Sequence, residues 1–163
     1  MSSTGLSKYS KTAIALHWII AILIIANVTL ASMSEDLPRA AKAAYMNPHK
    51  AIGISILLFS VLRLFWRMGH KPPALPDAIA GWQARLGKTV HVLFYFLIIA
   101  VPLTGWLMVA ARPGAPPVDF FGLFSIDLPV GDSEALSGFG HEGHEILTKP
   151  LVIVIFLHVI GAL

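Results

Sequence analysis

The chain has 163 residues, of which 56% are hydrophobic and 13% charged, with a mean hydropathy of +0.73 and a formal net charge of +3. Soluble domains carry about 25% charged residues, so this composition excludes a soluble globular domain and points to one compact domain built in a membrane. Cysteine is absent, which excludes disulfides, iron–sulfur clusters and haem attached through Cys-x-x-Cys-His.

A polar N-terminal stretch with Lys8 and Lys11 precedes the first apolar run. That run is too long for a signal peptide and lacks a small-residue cleavage site. Four apolar segments follow, over residues 13–33, 49–68, 89–111 and 143–163. Each is close to the ~20 residues that a spanning helix needs. The expected fold is all-α, an integral membrane four-helix bundle. Lys149-Pro150 falls in what reads as the first turns of the fourth span, where proline is tolerated. The fourth run reaches the last residue with no basic stop, so a truncated cytoplasmic tail is expected.

Charge placement sets an orientation. The second connection carries Arg63, Arg67, Lys71, Arg85 and Lys88 against Asp77. The third carries Asp119, Asp127, Asp132, Glu134 and Glu142 against Arg112. Basic loops stay in the cytoplasm. The N-terminus is therefore expected inside, and the long acidic connection outside. Around residues 118–128 that connection reads as a short amphipathic segment on the membrane surface.

His144 and His158 lie fourteen residues apart on the fourth segment. Fourteen residues of helix rise about 21 Å and turn the two rings to within roughly 40° of one another. One helix thus presents an imidazole toward each face of a hydrocarbon core about 30 Å thick. With the orientation above, His17 shares the inner level with His158, and His49 shares the outer level with His144. A lone membrane histidine is commonly hydrogen-bonded to a neighbouring helix. Two depth-matched pairs in a chain without cysteine instead suit bis-imidazole ligation of two noncovalent b haems. Gly53 and Gly161 follow His49 and His158 by four and three residues, and either fits close approach of a flat macrocycle or ordinary helix packing.

His91 is left unpaired. It can bond a haem propionate, line a quinone pocket or displace His17 as the partner of His158. Arg63 and Arg67 can pair with propionates of the inner haem or snorkel to lipid headgroups. His141-Glu142-Gly143-His144-Glu145 lacks the i, i+4 histidine pair of a zinc protease helix. His70 reads as solvated in a basic loop.

The run Ala15-Leu16-His17-Trp18, then His49-Lys50-Ala51-Ile52-Gly53 leading into Leu62-Arg63-Leu64-Phe65-Trp66-Arg67, resembles the bacterial cytochrome b561 family. So do His91…Tyr95…Pro102-Leu103-Thr104-Gly105-Trp106 and His144-Glu145…Leu157-His158. The resemblance covers the whole chain. It implies four helices holding two b haems in the bacterial cytoplasmic (inner) membrane, His17 with His158 at the inner haem and His49 with His144 at the outer one. Iron would be the metal; on the reading of the residues themselves, His91 and Arg63 are expected beside the inner haem rather than as its ligands.

It further implies single-electron transfer between an outer-face partner and the quinone pool, with ubiquinone as substrate. Some relatives are superoxide oxidases, and related cytochrome subunits anchor hydrogenases and formate dehydrogenases. The second reading for this chain is therefore a haem-bearing membrane anchor of a peripheral dehydrogenase or hydrogenase. An acidic outer face would repel superoxide unless Arg39, Lys42 and Arg112 cluster over the outer haem. Expected partners are lipid, quinone and an outer donor or acceptor, with room for a homodimer and no nucleic acid. No general acid, base or nucleophile stands out, so no catalytic residue is assigned.

Overall fold

The structure is a computed structural model and describes residues 10–70, 81–127 and 129–162. Four helices account for most of it: α1 (Lys11–Ser34), α2 (Arg39–Gly69), α3 (Gly81–Ala110) and α4 (Glu134–Ala162). All four are long and apolar enough to cross a membrane. Their outward faces carry large apolar side chains such as Ile22, Ile25, Phe65, Phe156 and Ile160, as a lipid-facing surface requires. The all-α membrane bundle expected from the sequence is the fold observed.

Three helices start eight to ten residues before their apolar runs. The first turns of α2 read Arg39-Ala40-Ala41-Lys42-Ala43-Ala44, strong helix formers that need no lipid to be helical. The first connection, between the apolar runs that end at residue 33 and begin at residue 49, is thus largely helix. α4 starts at Glu134, where Ser133 caps it: Leu136 N–H donates to Ser133 Oγ at 3.3 Å. The acidic Glu134 in the first turn suits the positive end of the helix dipole. Pro150 consequently lies in the middle of α4 rather than near its start, and Pro48 and Pro102 are likewise inside α2 and α3.

The Val118–Ile126 stretch is a two-stranded antiparallel hairpin, β1 (Val118–Phe120) and β2 (Phe124–Ile126). Phe121 and Gly122 turn the chain at φ 57° and 73°, and Asp119 Oδ2 accepts from the Gly122 N–H at 2.9 Å. Val118 is buried, with β1 packed on α2, while Phe121, Leu123 and Phe124 are exposed. The surface segment expected from the sequence is therefore an apolar-tipped hairpin. Residue 128 and the connection 71–80 lie outside the described residues, as does the N-terminal stretch before residue 10.

Backbone packing is sequential, α1 on α2, α2 on α3 and α3 on α4. The α3–α4 crossing is the closest fit. A Cβ on Gly140 would lie 2.5 Å from Met108 N and 2.9 Å from Thr104 O, so only glycine allows this approach. The core is a layer of Ile20, Ile24, Ile52, Ile56, Leu97, Ile98, Val101, Leu151 and Val154, drawn from all four helices. It lies between two histidine-bearing levels: His17, His91 and His158 on one side, His49 and His144 on the other.

Candidate functional site

At one level, α2 contributes His49 and α4 contributes His144. Their ring centroids are 6.1 Å apart with planes at 82°. Each ring is held by a backbone carbonyl of a neighbouring helix. His49 Nδ1 is 3.1 Å from Asn27 O on α1, and His144 Nδ1 is 2.9 Å from Val101 O on α3. A carbonyl accepts only, so both Nδ1 atoms carry the proton and both Nε2 lone pairs are free. This is the second contact that metal-binding histidines ordinarily make. Gly105 on α3 makes room for the second ring: a Cβ there would sit 3.0 Å from His144 Nδ1 and 3.1 Å from Cε1.

At the other level, α1 contributes His17 and α4 His158, again with centroids 6.1 Å apart and planes at 75°. His91 on α3 lies 5.9 Å from the same His158 ring, also at 75°, and Phe94 packs edge-on against it at 5.1 Å. His158 is thus flanked by two imidazoles at nearly equal distances. Arg63 reaches this level from α2, but its Nη1 donates to Ala13 O at 2.9 Å. The rest of its planar fork stays available to an anionic group. Trp66 Nε1 donates to Ser10 Oγ at 3.0 Å, and the Arg67 guanidinium stands 5.8 Å from the Tyr95 ring centre. His70 stacks on Trp66 at 4.0 Å and is exposed.

The arrangement is two pairs rather than a cage. Among the described residues no three His, Asp or Glu side chains gather as a metal site, and His141 is an exposed residue of α4. A metal bound by two imidazoles alone needs its remaining donors from a ring that the protein does not supply. Two imidazoles on opposite sides of such an ion, each at a metal–nitrogen distance of about 2 Å, place their ring centres roughly 6 Å apart. Both pairs match. Gly53 meets only Asn27 Nδ2, at 3.9 Å, and Gly161 meets nothing within 4 Å, so neither backbone is covered beside its histidine. The residues present therefore have the spacing to fit haem b, at one level with His49 and His144 and at the other with His158 and either His17 or His91, at 6.1 and 5.9 Å.

Of the side chains singled out from the sequence, His17, His91, His158 and Arg63 are found at one level and His49 and His144 at the other. Sequence reasoning missed what positions them: the carbonyls of Asn27 and Val101, the gap at Gly105, and Phe94. Asn27, an amide in the middle of a largely apolar helix with a buried Oδ1 that has no partner among the described residues, was the one readable signal.

Comparison with known proteins identifies the family. The family model of the prokaryotic cytochrome b561 matches residues 8–163. Cytochrome b561 homolog 2 of Escherichia coli K12 is 25% identical over 153 residues, covering 93% of this chain and 80% of the relative. The probable superoxide oxidase CybB of Yersinia pestis is 23% identical over 162 residues, covering 96% and 87%. With paired histidines on four membrane-spanning helices and a family match over nearly its whole length, the chain belongs to the prokaryotic cytochrome b561 family, multi-pass electron-transfer proteins of the bacterial inner membrane.

Proposed function

We propose that the protein carries single electrons between a partner at its outer face and the membrane quinone pool, using two noncovalent b haems. The observation that supports this most directly is the repeated 6.1 Å separation of the His49–His144 and His17–His158 rings. Haem iron supplies a one-electron couple at each level. The protein's part is to hold the two groups in series along α4. The Asn27 and Val101 carbonyls fix the tautomer and tilt of the outer rings, and the apolar layer between the levels excludes water. The haem-per-protein ratio of the purified chain tests this, with a dithionite difference spectrum. Two haems are expected. His49→Ala or His144→Ala should leave one, and His17→Ala or His158→Ala should leave the other, with a different spectral component lost. Loss of the same component from both sets would break the pairing.

Ubiquinone is the proposed substrate at the inner level. His91 faces His158 beside Arg63 and Arg67, so a carbonyl there would meet donors from two helices. His91→Ala should keep two haems while slowing electron exchange with quinol several-fold, as removal of one positioning hydrogen bond does. A drop to one haem would make His91 the ligand in place of His17.

The similarity to the probable superoxide oxidase CybB makes superoxide one donor to consider at the outer face. The acidic third connection opposes an anion there. Among the basic residues that would offset it, Lys42 Nζ donates to Glu35 O at 3.2 Å, whereas Arg112 lies in electrostatic reach of Lys50, which in turn neighbours His49. The excess of acids over these few bases is why we place superoxide behind a general quinone-linked carrier. The anchor-subunit reading predicts no quinol oxidation or reduction by the isolated chain.

A further inference from the structure

Among the described residues, two buried side-chain atoms have no hydrogen-bond partner, Asn27 Oδ1 and Ser60 Oγ. Ser60 is the more unusual, because it is fully buried and a hydroxyl on a helix has a ready acceptor. Ser55, Thr104 and Thr148 each donate to the carbonyl four residues back, at 3.0, 3.0 and 2.6 Å. Ser60 does not use the Ile56 carbonyl in this way. A hydroxyl left unpaired inside a membrane bundle is costly.

Its place follows from two contacts between α1 and α2. His49 Nδ1 meets Asn27 O, and Arg63 Nη1 meets Ala13 O. The two contacts are fourteen residues apart on each helix, 13 to 27 and 49 to 63, so the helices run antiparallel in even register. Ser60, three residues before Arg63, therefore lies within one helical turn of His17 in height. It also faces α1. At about 100° per residue it is roughly 20° around α2 from both His49 and Gly53, which meet Asn27 of α1.

His17 needs an acceptor at this height. A ring that gives Nε2 to iron ordinarily donates its Nδ1 proton to a second group, and His49 and His144 have Asn27 O and Val101 O for that purpose. A histidine on a helix can use the carbonyl four residues back, as His70 does with Trp66 O at 3.0 Å. For His17 that carbonyl is Ala13 O. It already accepts the His17 backbone N–H within α1 and Arg63 Nη1, which occupies both of its lone pairs. Among the described residues the His17 ring makes no hydrogen bond.

We infer, on the reading that His17 and His158 hold a haem, that Ser60 is the residue that positions His17. Its hydroxyl accepts the Nδ1 proton of that ring and donates in turn to the Ile56 carbonyl. The tautomer that leaves Nε2 for iron is thereby fixed, and the serine is fully satisfied.

The haem-loaded protein tests this. The spectral component lost in His17→Ala defines the level to be read. Ser60→Ala, which removes only the hydroxyl, should raise the midpoint potential of that component, because a bonded Nδ1–H makes the imidazole a stronger donor and favours ferric iron. It should also weaken haem retention at that level about 10-fold, measured as transfer to excess apomyoglobin. The component that depends on His49 should not move. Ser55→Ala, at a serine already bonded to its own helix, should leave both components as in the parent. An unchanged potential and retention in Ser60→Ala overturns the inference, and so does an equal shift of both components or a shift that Ser55→Ala reproduces. Failure of the haem reading itself is seen earlier and separately, as a His17→Ala protein that loses no component, and it overturns the role of Ser60 as well.

Discussion

An imidazole can bind iron only if its free nitrogen is aimed, and here the aim is set by groups that carry no side-chain signature. His144 is fixed between the Val101 carbonyl, at 2.9 Å, and the bare backbone of Gly105. Any Cβ at Gly105 must push the ring, because 3.0 Å to a ring nitrogen is inside van der Waals contact. Gly105→Ala is therefore expected to weaken haem binding at this level by about 10–100-fold, the usual cost of disturbing a group that orients a metal-binding histidine. The His17–His158 level should be untouched. Haem titration of the apoprotein checks this, with Gly131→Ala, which would meet nothing within 4 Å, as the control. Retention of both haems with unchanged affinity would mean that the ring has freedom the packing does not suggest.

At the scale of elements, the α3–α4 crossing sets the height and tilt of the helix that bears both His144 and His158. Gly140 lies against the backbone of Met108 and Thr104, Gly143 against the Thr104 methyl, and Ser137 Oγ donates to Met108 O at 2.9 Å. Gly140→Ala should force the helices apart and destabilise the bundle by about 1–3 kcal/mol, as overpacking does. A lower melting temperature in detergent should show it, and Gly138→Ala, facing open space, should melt like the parent. The four helices and the depth-matched histidines were legible because hydropathy runs and a fourteen-residue spacing translate directly into height along a helix. The early helix starts were not, since polar, alanine-rich turns such as Arg39–Ala44 form helix without a hydropathy signal. Neither was the hairpin, whose turn depends on Phe121 taking a positive φ that sequence seldom announces for an aromatic residue. The carbonyl partners were illegible for a simpler reason: every residue has a carbonyl, and only packing decides which one faces a histidine.

For the whole molecule, the distribution of charge is the feature that bears on orientation in the membrane. At the His17–His158 end the described residues carry Lys11, Arg63, Arg67, Arg85 and Lys88 and no acid. Arg63 and Trp66 of α2 are tied to Ala13 and Ser10 of α1 there, so these charges sit together at one end of the bundle. The opposite end carries Glu35, Asp36, Asp119, Asp127, Asp132, Glu134 and Glu142 against Arg39, Lys42, Lys50 and Arg112. Lys and Arg near the helix ends resist translocation, and acids contribute little to the choice. The basic end is the one expected in the cytoplasm, which puts the N-terminus inside and the hairpin outside. The absence of cysteine makes the test direct. Ser125→Cys, exposed on the hairpin, should react with a membrane-impermeant maleimide in spheroplasts, whereas Gly87→Cys, exposed near the start of α3, should react only after permeabilisation. The reverse pattern would invert the bundle. It would also move the His49–His144 pair to the cytoplasmic side and exchange the proposed entry and exit of the electron.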